Sequence, residues 1–249
     1  MTEGTATVPA LCAVPRLVHG FGRRAPGSSR ETREETARRV AAELDGDGRL
    51  LLLRQPHGAV VAPAPWNGAP EADAAVAAEP GLVLGIQTAD CLPVLLVDPQ
   101  LRLVAAAHAG WRGTAAGVTR QAVRALVARG SRPQDLVAAL GPAIGPCCYE
   151  VGDELREAFG PEGAEFFRPG PGAKPHLDVR AANVRQLLEA GLPAEAIHNI
   201  ADCTHCHPDL YHSYRREGLG SGRMISFVGF SQRRSAEGSL PLPRRNDAL

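Results

Sequence analysis

An α+β fold of a single domain is the architecture this sequence predicts, on three observations. Short apolar runs and helical patterns are mixed along the chain without the strict βαβ rhythm of a doubly wound sheet. No segment repeats and none is of low complexity. The 249 residues, 44% hydrophobic and 22% charged, suffice to bury a core and are too apolar to remain disordered. The domain is expected to occupy residues 1–249. Its ends are expected to be mobile over about 1–15, which lack periodicity, and 231–249, which are polar and arginine-rich.

The elements follow in order. Ser28 or Ser29 can cap a helix over 30–44, whose early Glu31 and Glu34 suit the positive end of a helix dipole. Three apolar strands come next, and each runs into a polar turn. Residues 50–53 lead to Arg54-Gln55-Pro56-His57-Gly58, residues 82–86 to Gln87-Thr88-Ala89-Asp90-Cys91, and residues 101–107 to His108-Ala109-Gly110-Trp111-Arg112-Gly113. Helical patterns cover 114–128, 152–159 and 178–190, the last with Asp178 placed to cap and Gly191 to terminate. Further strands are expected at 136–140, 197–201 and 224–230.

Charge and composition exclude several functions. Lys+Arg and Asp+Glu both number 27, so the chain lacks the basic excess of a general nucleic-acid binder. A membrane span needs about 20 apolar residues. The run LVLGIQTADCLPVLLV is interrupted by Gln87, Thr88, Asp90 and Pro93, so no membrane partner is expected. Six cysteines are too few for a disulfide scaffold, and the first residues show no basic-then-apolar leader; a cytoplasmic protein with reduced thiols is the expectation.

The sharpest chemistry lies at the three strand ends. His57, Cys91 and His108 offer one thiolate and two imidazoles, a borderline-soft set that suits zinc and leaves a fourth tetrahedral position for water or substrate. Copper fits the set less well. Separations of 34 and 17 residues match no local zinc-finger pattern, so ordinary turn and core roles stay open. Asp90 and Gln55 adjoin these donors and can orient an imidazole or a water. Arg112 offers a guanidinium for an oxyanion, and Trp111 a ring for stacking on a base or packing in the core.

A second cluster, Asp202-Cys203-Thr204-His205-Cys206-His207-Pro208, carries a C-x-x-C pair that suggests a zinc knuckle or a redox pair. No second C-x-x-C exists. Cys147 and Cys148 can in principle complete a four-thiolate set, but neighbouring cysteines rarely both reach one ion, so unligated thiols are expected here. Ser213, Arg215 and Arg216 add candidate anion contacts; two surface arginines are the plain alternative.

The runs QPHGAVV, QTADCLPVLLVD, AAAHAGWRG, GPAIGPCCYEVG and CTHCHPDLYHSYRREG occur in this order between about His19 and Phe230. Together they resemble the successive signatures of the YfiH, or laccase-domain, family. The resemblance implies mixed sheets flanked by helices in α/β/β/α layers, and a zinc site on His57, Cys91 and His108. It also implies cleavage of adenosine, inosine and methylthioadenosine by phosphate, with deamination of adenosine, by a monomer or homodimer. The family's early H-G-F-S-T-R stands here as His19-Gly20-Phe21-Gly22-Arg23-Arg24, which puts Arg24 at the motif's arginine as a substrate contact. Asp90 is then the candidate proton carrier. The usual zinc-deaminase signature is absent, because Ala-Gly follows His108 and no P-C-x-x-C occurs.

Three rivals follow from the same residues. A cysteine hydrolase would use Cys91 as nucleophile with His108 or His57 as base. A multicopper oxidase needs more paired histidines than the eight present. A non-enzymatic partner-binding module would use zinc only to hold the three turns together.

Overall fold

Strands that are apolar at every position must be covered on both faces, and two stacked sheets between helical layers provide that cover. The computed structural model describes residues 4–25, 32–44 and 48–232. One sheet orders its strands Thr5–Ala6, Leu17–Gly22, Met224–Phe230, Leu82–Thr88, Arg49–Leu52. The other orders them Ile197–Asn199, Val137–Leu140, Leu92–Asp98, Leu103–Ala109, Ala74–Ala77, Val61–Pro63. Both are mixed. Arg49–Leu52 runs parallel to Leu82–Thr88, and Ile197–Asn199 parallel to Val137–Leu140, whereas Leu92–Asp98 is antiparallel to both its neighbours.

Alternation along each strand divides the core into layers. Leu84, Ile86, Leu95, Val97, Val104, Ala106 and Val228 fill the space between the sheets. The opposite parity of the second sheet, with Val94, Leu96, Ala105 and Ala107, meets Val118, Ala122 and Leu126 of helix Val118–Val127 and Leu187 of helix Val179–Glu189. On the far side, Val40 and Leu44 of helix Arg33–Glu43 and its C-cap cover Val83, Ile225 and Phe227. The result is an α+β fold in α/β/β/α order. Among the described residues no helix is long and apolar enough to cross a membrane.

Several local expectations change. The N-terminal segment expected to be mobile holds a strand at Thr5–Ala6 and a short helix at Pro9–Cys12, because Val8 and Leu11 are buried in the inter-sheet core. At the other end Ser231 is buried too, and residues 233–249 lie outside the described residues. Thr32, rather than Ser28 or Ser29, caps the first long helix through a reciprocal capping box with Glu35; both serines lie outside the described residues. The helix expected over 114–128 is two, Trp111–Ala115 and Val118–Val127, separated at Gly117 with φ of 80°. His108 lies inside the end of strand Leu103–Ala109 instead of in a turn. Asp178 accepts from the amide of Ala181 and Gly191 follows the helix end with φ of 95°, both as expected. Strands Leu17–Gly22 and Leu92–Asp98 were not expected.

Candidate active site

The three strand-end donors meet at the mouth between the sheets. His57 follows the edge strand Arg49–Leu52 of the first sheet, His108 ends a strand of the second, and Cys91 lies in the turn by which the chain passes from Leu82–Thr88 to Leu92–Asp98. The donor atoms of His57, Cys91 and His108 lie within 4.8 Å of one another. The imidazoles meet edge to face with centroids 4.8 Å apart.

One buried carboxylate aligns them. Asp73 is fully buried; its Oδ1 accepts from the His57 amide at 3.0 Å and faces His108 Nδ1 at 2.8 Å, while its Oδ2 accepts from the Gly58 amide at 2.6 Å. A carboxylate at Nδ1 fixes the proton there and leaves Nε2 as the free donor, the arrangement found behind metal-bound histidines. His57 and Asp90 both hold left-handed backbone, with φ of 69° and 85°. Such conformations cost energy in non-glycine residues and persist only where their surroundings impose them. Gly110 must lack a side chain, because a Cβ there would lie 2.9 Å from Cys91 Sγ and 3.2 Å from His57 Cδ2.

Electrostatics favour ionisation of the pair. Burial opposes a charged Cys91, but the facing imidazoles, His108 above all, overcome it and bring the thiol down to about 6. Burial likewise opposes a charged His108, and the Cys91 sulfur together with Asp73 raises it to about 9. Without a cation these groups form a thiolate–imidazolium pair. A cation replacing the shared proton would meet one thiolate and two imidazole nitrogens, so the donor set fits a single metal ion with an open position.

The cluster opens onto a cavity of about 650 Å³ lined by His57, Cys91, His108, Trp111, Arg112, Tyr149 and others. Arg112 lies over the Trp111 ring, 4.5 Å from its centroid, and has no ion-pair partner among the described residues. Arg215 lies 5.3 Å over the Tyr149 ring and donates to the Glu150 carbonyl. Burial, then the Cys91 thiolate, hold the Tyr149 phenol protonated well above its usual range.

The remaining expected site residues are tied up in structure. Gln55 lines the cavity, but its amide pairs in both directions with the backbone of Gln87. Asp90 accepts from Thr204 Oγ1 at 2.6 Å and from the Arg215 amide at 2.7 Å, so it joins the Cys91 turn to a later loop instead of offering a free oxygen. Three residues stand away from the cavity. Ser213 is buried and caps helix Tyr214–Glu217. Arg216 donates to the carbonyls of Thr204, His205 and Tyr211, and Arg24 to that of Pro208 and to Glu217. Asp73 and Tyr149 were not singled out from the sequence, and only the Tyr149 motif offered a signal.

A thiol and two imidazoles braced by a buried carboxylate at the cavity define the class: a layered α+β protein with a donor set able to hold a metal ion. The family model described as multi-copper polyphenol oxidoreductase laccase matches residues 24–231, and the chain belongs to this family. Its description implies a metal. A multicopper centre does not fit, since among the described residues His57 and His108 are the only histidines gathered with other metal donors. The chain is 40% identical over 162 residues to an adenosine deaminase RL5 from an unknown prokaryotic organism, covering 63% of this chain and 61% of that relative. It is 41% identical over 208 residues to a purine nucleoside phosphorylase of Streptomyces coelicolor, covering 82% of this chain and 83% of that one. The crystal structure of YlmD from Geobacillus stearothermophilus superposes with a TM-score of 0.83 at 31% identity, over 93% of this chain and 98% of that one.

Proposed function

We propose that the chain is a zinc-dependent purine nucleoside phosphorylase of the cytoplasm that also deaminates adenosine. Substrates are adenosine, inosine and methylthioadenosine, each giving the free base and a pentose 1-phosphate. The observation that carries this reading is the open donor set of His57, Cys91 and His108 facing a cavity that also holds an unpaired guanidinium, Arg112. The names of the relatives agree with it.

His57, Cys91 and His108 would hold the zinc, with Asp73 setting the His108 tautomer. When bound, zinc supplies Lewis-acid polarisation of a substrate atom and activation of water for deamination. Phosphorolysis breaks the bond from C1′ to the purine nitrogen and forms one from C1′ to a phosphate oxygen. Arg112 binds and orients the incoming phosphate, and its charge opposes the anion's repulsion from the Cys91 thiolate. Trp111 stacks on the purine. Tyr149, kept protonated, donates a hydrogen bond toward the leaving base, and the Arg215 guanidinium above its ring favours the charge that develops there. Asp90 positions Cys91 and Arg215.

The test is incubation of metal-analysed protein with adenosine and phosphate, followed by chromatography for adenine, inosine and ribose 1-phosphate. The expected result is adenine, some inosine, and ribose 1-phosphate equal to the adenine plus any hypoxanthine released from that inosine. Absence of all three from zinc-loaded protein would overturn the reading and leave the partner-binding role. The thiolate–imidazolium pair of Cys91 and His108 supports one second reading, a cysteine hydrolase. It requires protein without stoichiometric zinc and rapid alkylation of Cys91 by iodoacetamide.

A further inference from the structure

Away from the strand-end cluster, four more cysteines converge. Cys147 and Cys148 lie in the loop after strand Val137–Leu140, and Cys203 and Cys206 in the loop after strand Ile197–Asn199. Their four Sγ atoms lie within 4.8 Å of one another, with Cys148 to Cys206 at 3.3 Å and Cys147 to Cys206 at 3.7 Å. All four are free thiols. In a tetrahedral tetrathiolate with Zn–S bonds of about 2.3 Å, neighbouring sulfurs stand about 3.8 Å apart, close to what is seen here. We propose that Cys147, Cys148, Cys203 and Cys206 hold a second, structural zinc ion that fastens the two loops together.

Adjacent cysteines reach one point because residues 145–149 form a tight turn, in which the amides of Cys148 and Tyr149 both donate to the Gly145 carbonyl. The Gly145 amide donates to Cys203 Sγ at 3.2 Å, and the Cys206 amide closes the turn on the Cys203 carbonyl at 3.2 Å. Amides aimed at the first sulfur of a C-x-x-C turn favour its thiolate, the form a metal needs. A Cβ on Gly145 would stand 3.2 Å from Cys147 Sγ, a tight contact that glycine avoids. Arg180 places positive charge near Cys203 and has a buried guanidinium nitrogen with no hydrogen-bond partner. A zinc tetrathiolate carries two negative charges, and that guanidinium, which also faces Asp178 and Asp202, lies on the side where it counters part of them. As thiols, Cys147 and Cys148 both face the single sulfur of Cys206. Binding displaces their protons to solvent and joins all four to the cation. A disulfide would use two of the four and would need its sulfurs at about 2.05 Å.

The first of the joined loops lines the cavity through Ile144 and Tyr149, and the second supports the lining residue Asp90 through Thr204. Ala143 pairs with Cys203 in a parallel bridge, Tyr149 follows Cys148 directly, and Thr204 reaches Asp90. The proposal stands apart from the phosphorylase reading, and its test does not use activity. Full-length protein purified under reducing conditions, as wild type and as the His57→Ala/His108→Ala double variant, is measured for zinc by elemental analysis and for coordination by X-ray absorption. The expected result is about two zinc ions per chain in the wild type and about one in the double variant, with a sulfur-only shell in the latter. Cobalt loaded into the double variant should show the intense sulfur-to-metal charge-transfer bands of a tetrathiolate, lost in the triple variant that adds Cys206→Ser. Four thiols titrating freely in metal-free double variant incubated with excess zinc, or a disulfide among them, would overturn the proposal. If Cys206→Ser fails to fold, the absorption spectrum of the double variant alone decides: a nitrogen- or oxygen-containing shell refutes it.

Discussion

The two cysteine-bearing clusters differ in what stands behind them. His57, Cys91 and His108 project from rigid strand ends, are braced by the fully buried Asp73 and open onto the cavity. Cys147, Cys148, Cys203 and Cys206 ride on loops, face one another, and are braced by backbone amides. Mixed donors with a free position suit exchange of water and substrate, whereas four thiols close the coordination sphere and suit a fastening. The lesson is that a carboxylate behind an imidazole marks the place where chemistry is done, and amides behind a thiolate mark a place where chain is held.

The largest effect that would break this contrast comes from the ligands. His57→Ala or His108→Ala should lower phosphorolysis by on the order of 10³-fold or more, the loss of several kcal/mol of charge stabilisation. Steady-state rates check this, and rates near wild type would remove the cluster from the chemistry. Asp73→Asn should weaken zinc binding at this cluster by roughly 10–100-fold, read by chelator competition, while zinc at the four thiols stays in place. Arg112→Met should raise the KM for phosphate by about tenfold or more, the value of a charged hydrogen bond, with the kcat/KM for deamination nearly unchanged. Equal losses in both reactions would mean that Arg112 acts on the metal centre itself.

A further effect lies outside both clusters and serves as their control. His19 is buried, and desolvation lowers it to about 4; its Nε2 accepts the Val8 amide at 3.1 Å, a bond that only the neutral ring makes. The unfolded chain binds this proton near pH 6.5 and the folded chain only near 4, so stability falls as pH drops through that window. The loss by pH 4 is on the order of 3 kcal/mol. Denaturant midpoints across that range measure it, and His19→Asn should flatten the dependence.

Legibility in the sequence followed chemistry more than packing. The clustering of His57, Cys91 and His108 was legible because each follows an apolar run and is of ligand type. Asp73 was not, since a lone aspartate beside alanines carries no pattern until folding places it under two imidazoles. The convergence of the four thiols was discounted because adjacency argues for diverging side chains, and the tight turn at residues 145–149 reverses that. Arg24, Ser213 and Arg216 look like anion ligands in a one-dimensional reading; in three dimensions they meet orphan carbonyls and a helix end first. Strand Leu92–Asp98 went unassigned because every residue of it is buried, which erases the alternation that marks a half-exposed strand.

The place of Met224–Phe230 has a consequence for how the chain comes into being. It pairs on one side with Leu17–Gly22 and on the other with Leu82–Thr88, at the centre of the five-stranded sheet. During synthesis both partners therefore leave the ribosome long before the strand that joins them. At usual elongation rates the wait is on the order of ten seconds, with two apolar edges open to other nascent chains. The yield of folded protein should depend on synthesis rate and on chaperones that shield strand edges more than on the stability of the finished molecule.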